Sequence, residues 1–215
     1  NDAGERCINL SKLFVGAEGT LGTIVEATVS LVTKPENTAL ALYCFDDLVE
    51  AMRAVPAGLA LDASAVELMD DEVFRLAGES TEYAEYVEPI PEGCAAALML
   101  EFDDEVTPDL RAAVDRANEE LLDDAFEVVE AFEEAEQSRI WKLRKAAIPL
   151  LMSLEGDPKP YPFIEDASVP PEELAEYVTE FEQVLDDHGT SAAYFAHAGA
   201  GTLHIRPILN LKEAD

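Results

Sequence analysis

Two histidines, His197 and His204, bracket the run His197-Ala198-Gly199-Ala200-Gly201-Thr202-Leu203-His204 in a chain of 215 residues that holds only three histidines. Imidazole is a common metal ligand and proton carrier near neutral pH. Apolar, strand-like residues lie on both sides, and the glycines between permit a sharp turn. Two strands meeting there would bring both rings to one point. Spacing alone leaves two readings. One is a metal or proton-transfer site, for which two ligands fall short of the three that zinc takes. The other is a surface turn with two hydrogen-bonded histidines. His188 reads as the partner of a helix C-terminal dipole.

Three further groups could do chemistry. In Trp141-Lys142-Leu143-Arg144-Lys145, Arg144 could pair bidentately with a carboxylate; the alternative is a solvated cationic helix face. In Phe163-Ile164-Glu165-Asp166-Ala167-Ser168-Val169-Pro170, Glu165 and Asp166 could bind a cation or orient a histidine. The alternative there is a strand-to-helix corner capped by Asp166 and Ser168. Gly16, Gly19 and Gly22 recur every third residue from Phe14 to Ile24 and could let backbone amides approach a pyrophosphate, or simply build a hairpin. The spacing is not GxGxxG and no long helix follows, which excludes a Rossmann reading.

The elements that must position these groups follow from periodicity and punctuation. Residues 12–34 read as strand, glycine turn, strand, with Ile24, Val25, Val29, Leu31 and Val32 as β-formers. A strand is predicted over 38–45, then a helix from about 47 to 55 capped by Asp46 or Asp47. A strand over 63–69, a short helix opened by Asp70 or Asp71, a loop over 79–93 and a strand over 95–102 come next. Leu110, Ala113, Val114, Ala117 and Leu121 make one apolar helix face. A short strand over 125–129 precedes a helix from about 132 to 148, ended by Pro149. After a loop over 155–162 and a strand over 163–169, a helix carries Leu174, Tyr177, Val178, Phe181, Val184 and Leu185 on its apolar face. Gly189 stops it, and two strands flank the histidine run. This order predicts an α+β fold: a ferredoxin-like antiparallel sheet with helices on one face.

Composition narrows the classes. The net charge is −32, from 46 acidic and 14 basic residues, with six lysines against eight arginines. Hydrophobic residues make up 48%, enough for a core, so disorder is not expected. Acid spread along the whole chain repels itself unless salt screens it, the Debye length being roughly 3 Å at about 1 M. The surface therefore reads as halophilic, adapted to a salt-rich cytoplasm. The same charge argues against nucleic acid and against an anionic membrane surface. Cys7, Cys44 and Cys94 are odd in number and form no CxxC; Cys44 and Cys94 read as buried thiols in a reducing cytosol. No signal peptide or membrane-spanning run is visible. The chain starts in mid-pattern and stops abruptly, as expected of a piece of a longer protein.

The segments also form one pattern. Val15-Gly16-Ala17-Glu18-Gly19-Thr20-Leu21-Gly22-Thr23-Ile24-Val25-Glu26-Ala27-Thr28 resembles the G-[SA]-E-G-T-L-G-I-x-x-E-A-T stretch of FAD-linked oxidases of the vanillyl-alcohol oxidase type. These include D-lactate, glycolate and D-2-hydroxyglutarate dehydrogenases. Trp141-x-x-Arg144, Glu165-Asp166-Ala167-Ser168-Val169-Pro170 and the His197–His204 run resemble, in the right order, that family's ferredoxin-like substrate domain. The ending from His204 to Leu211 is most similar to large members fused to an iron-sulfur module. The resemblance implies that residues 1–36 are the C-terminal remnant of an FAD-binding domain and that 37–215 are a substrate (cap) domain, cut short at its C-terminus. It implies FAD held near the backbone of Gly16, Glu18, Gly19, Thr20, Gly22 and Ile24. It implies a divalent metal (zinc, manganese or iron) on His197 and His204, and a substrate carboxylate gripped by Arg144. A 2-hydroxy acid would give hydride to flavin and leave as a 2-oxo acid. Partners implied are the FAD-binding domain of the same protein and an iron-sulfur module that takes the electrons, with oligomerisation open. The setting implied is cytoplasmic, with peripheral attachment at the inner membrane face open to the full-length protein.

The departures bear on the substrate. The commonest family run is H-x-G-D-G-N-L-H, where this chain has Ala200 and Thr202. Ile164 stands near the place of a frequent lysine, and Ile148 replaces a hydroxyl-bearing residue four after the arginine. Carboxylate recognition must therefore differ. The family's third metal ligand, an acid, lies in a segment beyond Asp215, and the chain alone is expected to bind FAD poorly and to be inactive. The rival from another class is a non-catalytic ferredoxin-like module for ligand binding or protein interaction. A zinc hydrolase would need a third ligand and a base, and no HExxH-like pairing supplies them.

Overall fold

The computed structural model describes residues 8–212; Cys7 lies outside them. The chain divides into two compact units, Asn1–Thr33 and Lys34–Asp215.

In the first unit, Asn9 caps a 3-10 turn over Leu10–Leu13 by accepting the Ser11 N–H at 3.1 Å. Two further turns follow, closed by Ala17 N–H to Phe14 O at 3.3 Å and Thr20 N–H to Ala17 O at 2.8 Å. Gly16, Glu18 and Gly19 take positive φ values of 73°, 47° and 76°. The strand–turn–strand expected over 12–34 is not formed: residues 22–35 are in no strand. Val25, Val29, Leu31 and Val32 are all exposed. Their β-propensity is a preference for a pleated, half-buried surface, and no neighbouring strand among the described residues supplies one.

The second unit is a sheet sandwiched by helices. Its first half runs β1 (Thr38–Phe45), α1 (Leu48–Leu59), β2 (Ala65–Asp70), α2 (Asp71–Glu79), α3 (Ala84–Val87), β3 (Ala96–Asp103), α4 (Leu110–Leu121) and β4 (Glu127–Ala131). The strand order β4-β1-β3-β2 is antiparallel throughout. This is the ferredoxin-like arrangement, with β3 inserted between the two strands that α1 connects. The second half is α5 (Glu134–Met152), β5 (Lys159–Pro160), β6 (Ile164–Ser168), α6 (Leu174–Asp187), β7 (Ala192–His197) and β8 (Thr202–Leu209). It extends the sheet from β2 through β7 and β8, with β5 and β6 both pairing β8.

Alternation sorts each strand's side chains onto two faces. Ala39, Ala41, Tyr43 and Phe45 join α1, α4 and α6 in one core. Leu40, Leu42 and Cys44 join α2 and α5 in a second. The antiparallel sheet and its helical layer follow the sequence expectation. The structure adds a second layer on the opposite face, where one layer was expected. Both faces of β1 are apolar, which is what a strand covered on both sides requires.

Asp47, Asp70 and Asp109 cap α1, α2 and α4 by accepting a backbone N–H three residues on. Pro149 does not end α5, which continues to Met152. The buried Leu150 and Leu151 hold the last turn against the lost backbone hydrogen bond. α5 is tied to β1 by buried Gln137, which accepts from Thr38 Oγ1 at 2.6 Å and donates to Thr38 O at 2.7 Å. Among the described residues no helix is long and apolar enough to cross a membrane.

Candidate active site

The glycine run is the tight connection from β7 to β8. His197 ends β7, a 3-10 turn covers Ala198–Ala200, and Gly201 turns the chain with φ of 65°. A Cβ on Gly201 would sit 1.9 Å from Val169 O, and Val169 N–H donates to Gly201 O at 2.8 Å. Only glycine fits, and the contact pins the end of β6 to the turn.

The register then places the chemistry. β7 and β8 pair Phe195 with His204 and His197 with Thr202. His197 and His204 are thus diagonal neighbours on one face, with ring centroids 5.3 Å apart and planes at 82°. β2 pairs Leu68 with Ala196 and Met69 with Phe195, and continuing that register puts Glu67 opposite His197. Its carboxylate reaches His197 Nδ1 at 2.9 and 3.0 Å. On the far side, β6 carries one extra residue between its pairings at Ile164 and Ala167. Asp166 takes a positive φ of 53° in that bulge. Bulges re-aim side chains, and here two acids face one histidine. Glu165 Oε2 lies 2.6 Å from His204 Nδ1, and Asp166 Oδ1 lies 3.7 Å from it.

Two arginines complete the cluster. From α5, Arg144 donates through Nε to Glu67 Oε2 at 2.9 Å. Its Nη2 is 2.8 Å from the same oxygen but off the bond direction, so that nitrogen keeps donor capacity. Burial pulls the Arg144 guanidinium below its ordinary pKa, and Glu67 opposes the shift. From β8, Arg206 pairs with Glu165 through Nη2. Between them lies Phe195, whose ring stacks on His204 at 4.7 Å. The Arg144 and Arg206 guanidinium carbons stand 5.3 and 5.6 Å from its centroid. The His197 side chain is 52% exposed and that of His204 only 12%. The site is a charged shelf with one imidazole open and one tucked against an aromatic floor.

The structure therefore brings together His197, His204, Arg144, Glu165 and Asp166 from three separate sequence segments. The cation run around Arg144 disperses: Arg144 turns to the sheet, while Lys142 lies 5.3 Å over Tyr86 and Lys145 6.0 Å over Trp141. Trp141 Nε1 donates to Glu101 Oε2 at 3.0 Å. His188 caps its helix end, with Nδ1 2.8 Å from Val184 O. Sequence reasoning missed Glu67, Phe195 and Arg206. The one available signal for Glu67 was a lone mid-strand acid in Ala65-Val66-Glu67-Leu68-Met69. Gly16, Glu18, Gly19, Thr20, Gly22 and Ile24 all lie in the first unit.

Both histidines engage a carboxylate through Nδ1, the arrangement that metal-ligating histidines use to leave Nε2 available. That donor set fits a metal as two nitrogen ligands. Among the described residues no group of three or more His, Cys, Asp or Glu side chains converges to hold one. In the first unit, Gly16, Glu18 and Gly19 take positive φ values in successive turns, a backbone shape that permits close approach of a ligand.

Comparison with known proteins decides the family. The pattern of the FAD linked oxidases, C-terminal domain, matches residues 34–215. The chain belongs to that family. It is 36% identical over 214 residues to a D-2-hydroxyglutarate dehydrogenase of Escherichia coli strain K12, covering 94% of this chain and 21% of that protein. A D-2-hydroxyglutarate dehydrogenase of Pseudomonas putida is 32% identical over 215 residues, covering 95% and 21%. The chain thus spans about a fifth of the length of these relatives. Among solved structures, an alkyldihydroxyacetonephosphate synthase shares the fold with a TM-score of 0.59 at 16% identity, covering 98% of this chain and 43% of that one.

Proposed function

We propose that this chain is the substrate side of an FAD-dependent dehydrogenase that oxidises a 2-hydroxy acid of the lactate, glycolate or 2-hydroxyglutarate type to a 2-oxo acid. The observation that carries the reading is the diagonal pair His197 and His204, each held at Nδ1 by its own carboxylate. The relatives named above are dehydrogenases of one such acid. His197 and His204 would hold a divalent metal through Nε2, and a third ligand comes from outside the described residues. A metal there supplies Lewis-acid polarisation of the 2-hydroxyl and 1-carboxylate, and FAD supplies the hydride acceptor. The Phe195 ring forms an apolar floor. Arg144 meets a substrate carboxylate with the nitrogens that Glu67 leaves free. Gly16, Glu18, Gly19, Thr20, Gly22 and Ile24 are the flavin-side residues.

Electrons leave through an iron-sulfur module in this proposal, and the acidic surface suits a salt-rich cytoplasm. The test is anaerobic flavin reduction by the full-length protein at about 2 M KCl, where charge is screened. A panel of D- and L-2-hydroxy acids is offered. Bleaching by at least one is expected; bleaching by none overturns the reading.

A further inference from the structure

The same pair of side chains stands behind each histidine. Arg144, Glu67 and His197 form one chain of contacts, drawn from α5, β2 and β7. Arg206, Glu165 and His204 form the other, drawn from β8 and β6. The two arginines approach one ring, that of Phe195. Nothing in local sequence relates the two chains: Glu67 comes from a regular strand, Glu165 from a bulge.

The donor and acceptor inventory gives this repetition a consequence. Arginine only donates hydrogen bonds, and an ionised carboxylate only accepts them. Glu67 accepts from Arg144 Nε, and Glu165 is ion-paired with the Arg206 guanidinium through Oε1. Toward Nδ1 both carboxylates can only accept, so the imidazole Nδ1 must carry the proton. The neutral ring then has its lone pair at Nε2, and the two rings do so together. We propose that Glu67 and Glu165 are positioning residues. Backed by Arg144 and Arg206, they hold His197 and His204 in the Nδ1–H form so that both present Nε2 as an acceptor or ligand. The proposal rests on the metal reading above for its use, but not for its geometry.

Glutamine in place of either glutamate makes the arginine decisive. The amide has one oxygen, which the guanidinium takes as the stronger donor. Its NH2 group then faces Nδ1, which must accept, and the proton moves to Nε2. Glu67→Gln should invert His197, and Glu165→Gln combined with Asp166→Asn, which also removes the second acid facing Nδ1, should invert His204. Aspartate keeps an acceptor-only carboxylate, so Glu67→Asp and Glu165→Asp should retain the original form.

The readout is the nitrogen NMR spectrum of the metal-free full-length protein labelled in its histidines, with His197 and His204 assigned by difference spectra. It is recorded in high salt at about pH 8.5, two units above the ordinary imidazole pKa of about 6.5. Expected are protonated Nδ1 at His197 and His204, inverted one at a time by the amide variants and unchanged by aspartate. Protonated Nε2 in the unaltered protein, or amide variants with unchanged tautomers, would overturn the proposal. Zinc titration of the same variants of the full-length protein separates it from the functional reading. Affinity should fall about 10- to 100-fold in the amide variants. Inverting tautomers in a protein that binds no zinc would keep the positioning roles and remove the metal.

Discussion

The two glycine-rich turns to which the proposal assigns the chemistry differ in what fixes them. The turn between β7 and β8 is built into a sheet, with Gly201 packed against Val169 O and both histidines tied to carboxylates from other strands. The turns around Gly16 and Gly19 have open space where a Cβ would go, and the apolar residues after them are exposed. The first is a site whose geometry comes from its own fold. The second has the backbone shape for close approach to a ligand, but the chain around it gives that shape no packing role.

Substitution at the two turns should break the symmetry of their sequences. Gly201→Ala meets both a left-handed backbone and a backbone oxygen, so a loss of roughly 3 kcal/mol or more is expected. Gly16→Ala and Gly19→Ala should change the stability of the second unit by under about 0.5 kcal/mol while weakening FAD retention in the full-length protein. Denaturant titration and flavin content measure the two effects. Equal stability losses at Gly201 and Gly16 would erase the contrast.

Salt should act on the whole surface. With a net charge of −32, the midpoint of thermal unfolding should rise by more than about 10 °C between roughly 0.1 and 2 M KCl as repulsion is screened. A flat response would remove the halophilic reading and leave the site argument intact.

A smaller effect lies at the joint between the two halves of the sheet. Asp70 is fully buried and accepts from Tyr194 N–H at 2.5 Å and Val73 N–H at 3.2 Å. Burial pushes its carboxyl from 3.8 up to about 8, against the pull of those two N–H groups. The folded state thus holds this proton more tightly than the unfolded one. Its contribution is complete below about pH 4 and is lost as the pH rises to about 8. Denaturant titrations at about pH 5 and pH 8 in one salt should show stability falling with pH. Asp70→Asn, less stable because one N–H loses its acceptor, should flatten the slope.

Much of this was legible in the sequence. The strand and helix order gave the ferredoxin-like sheet, and His197, His204, Arg144 and Glu165 were marked by type and spacing. Pro149 misled because Leu150 and Leu151 are buried, and packing outweighs one lost hydrogen bond. Residues 12–34 misled because β-propensity needs a neighbour. Glu67 and Arg206 stayed hidden for a different reason. Their partners are set by strand register across 130 and 41 residues, and local pattern carries no register. The outward second layer, α2 with α5, was also a matter of which face each helix returns to.

The central claim is that His197 and His204 form the substrate side of a flavin dehydrogenase. Its most direct test is single-turnover flavin reduction by the full-length protein with a 2-hydroxy acid found to bleach its flavin, comparing the unaltered protein with His197→Ala and His204→Ala. The exposed His197 can be removed with little effect on folding, so its variant separates chemistry from stability. The account predicts a fall of about 100-fold or more in the reduction rate with loss of bound metal and an unchanged unfolding midpoint for His197→Ala. Unchanged rates and metal content in both variants would contradict it.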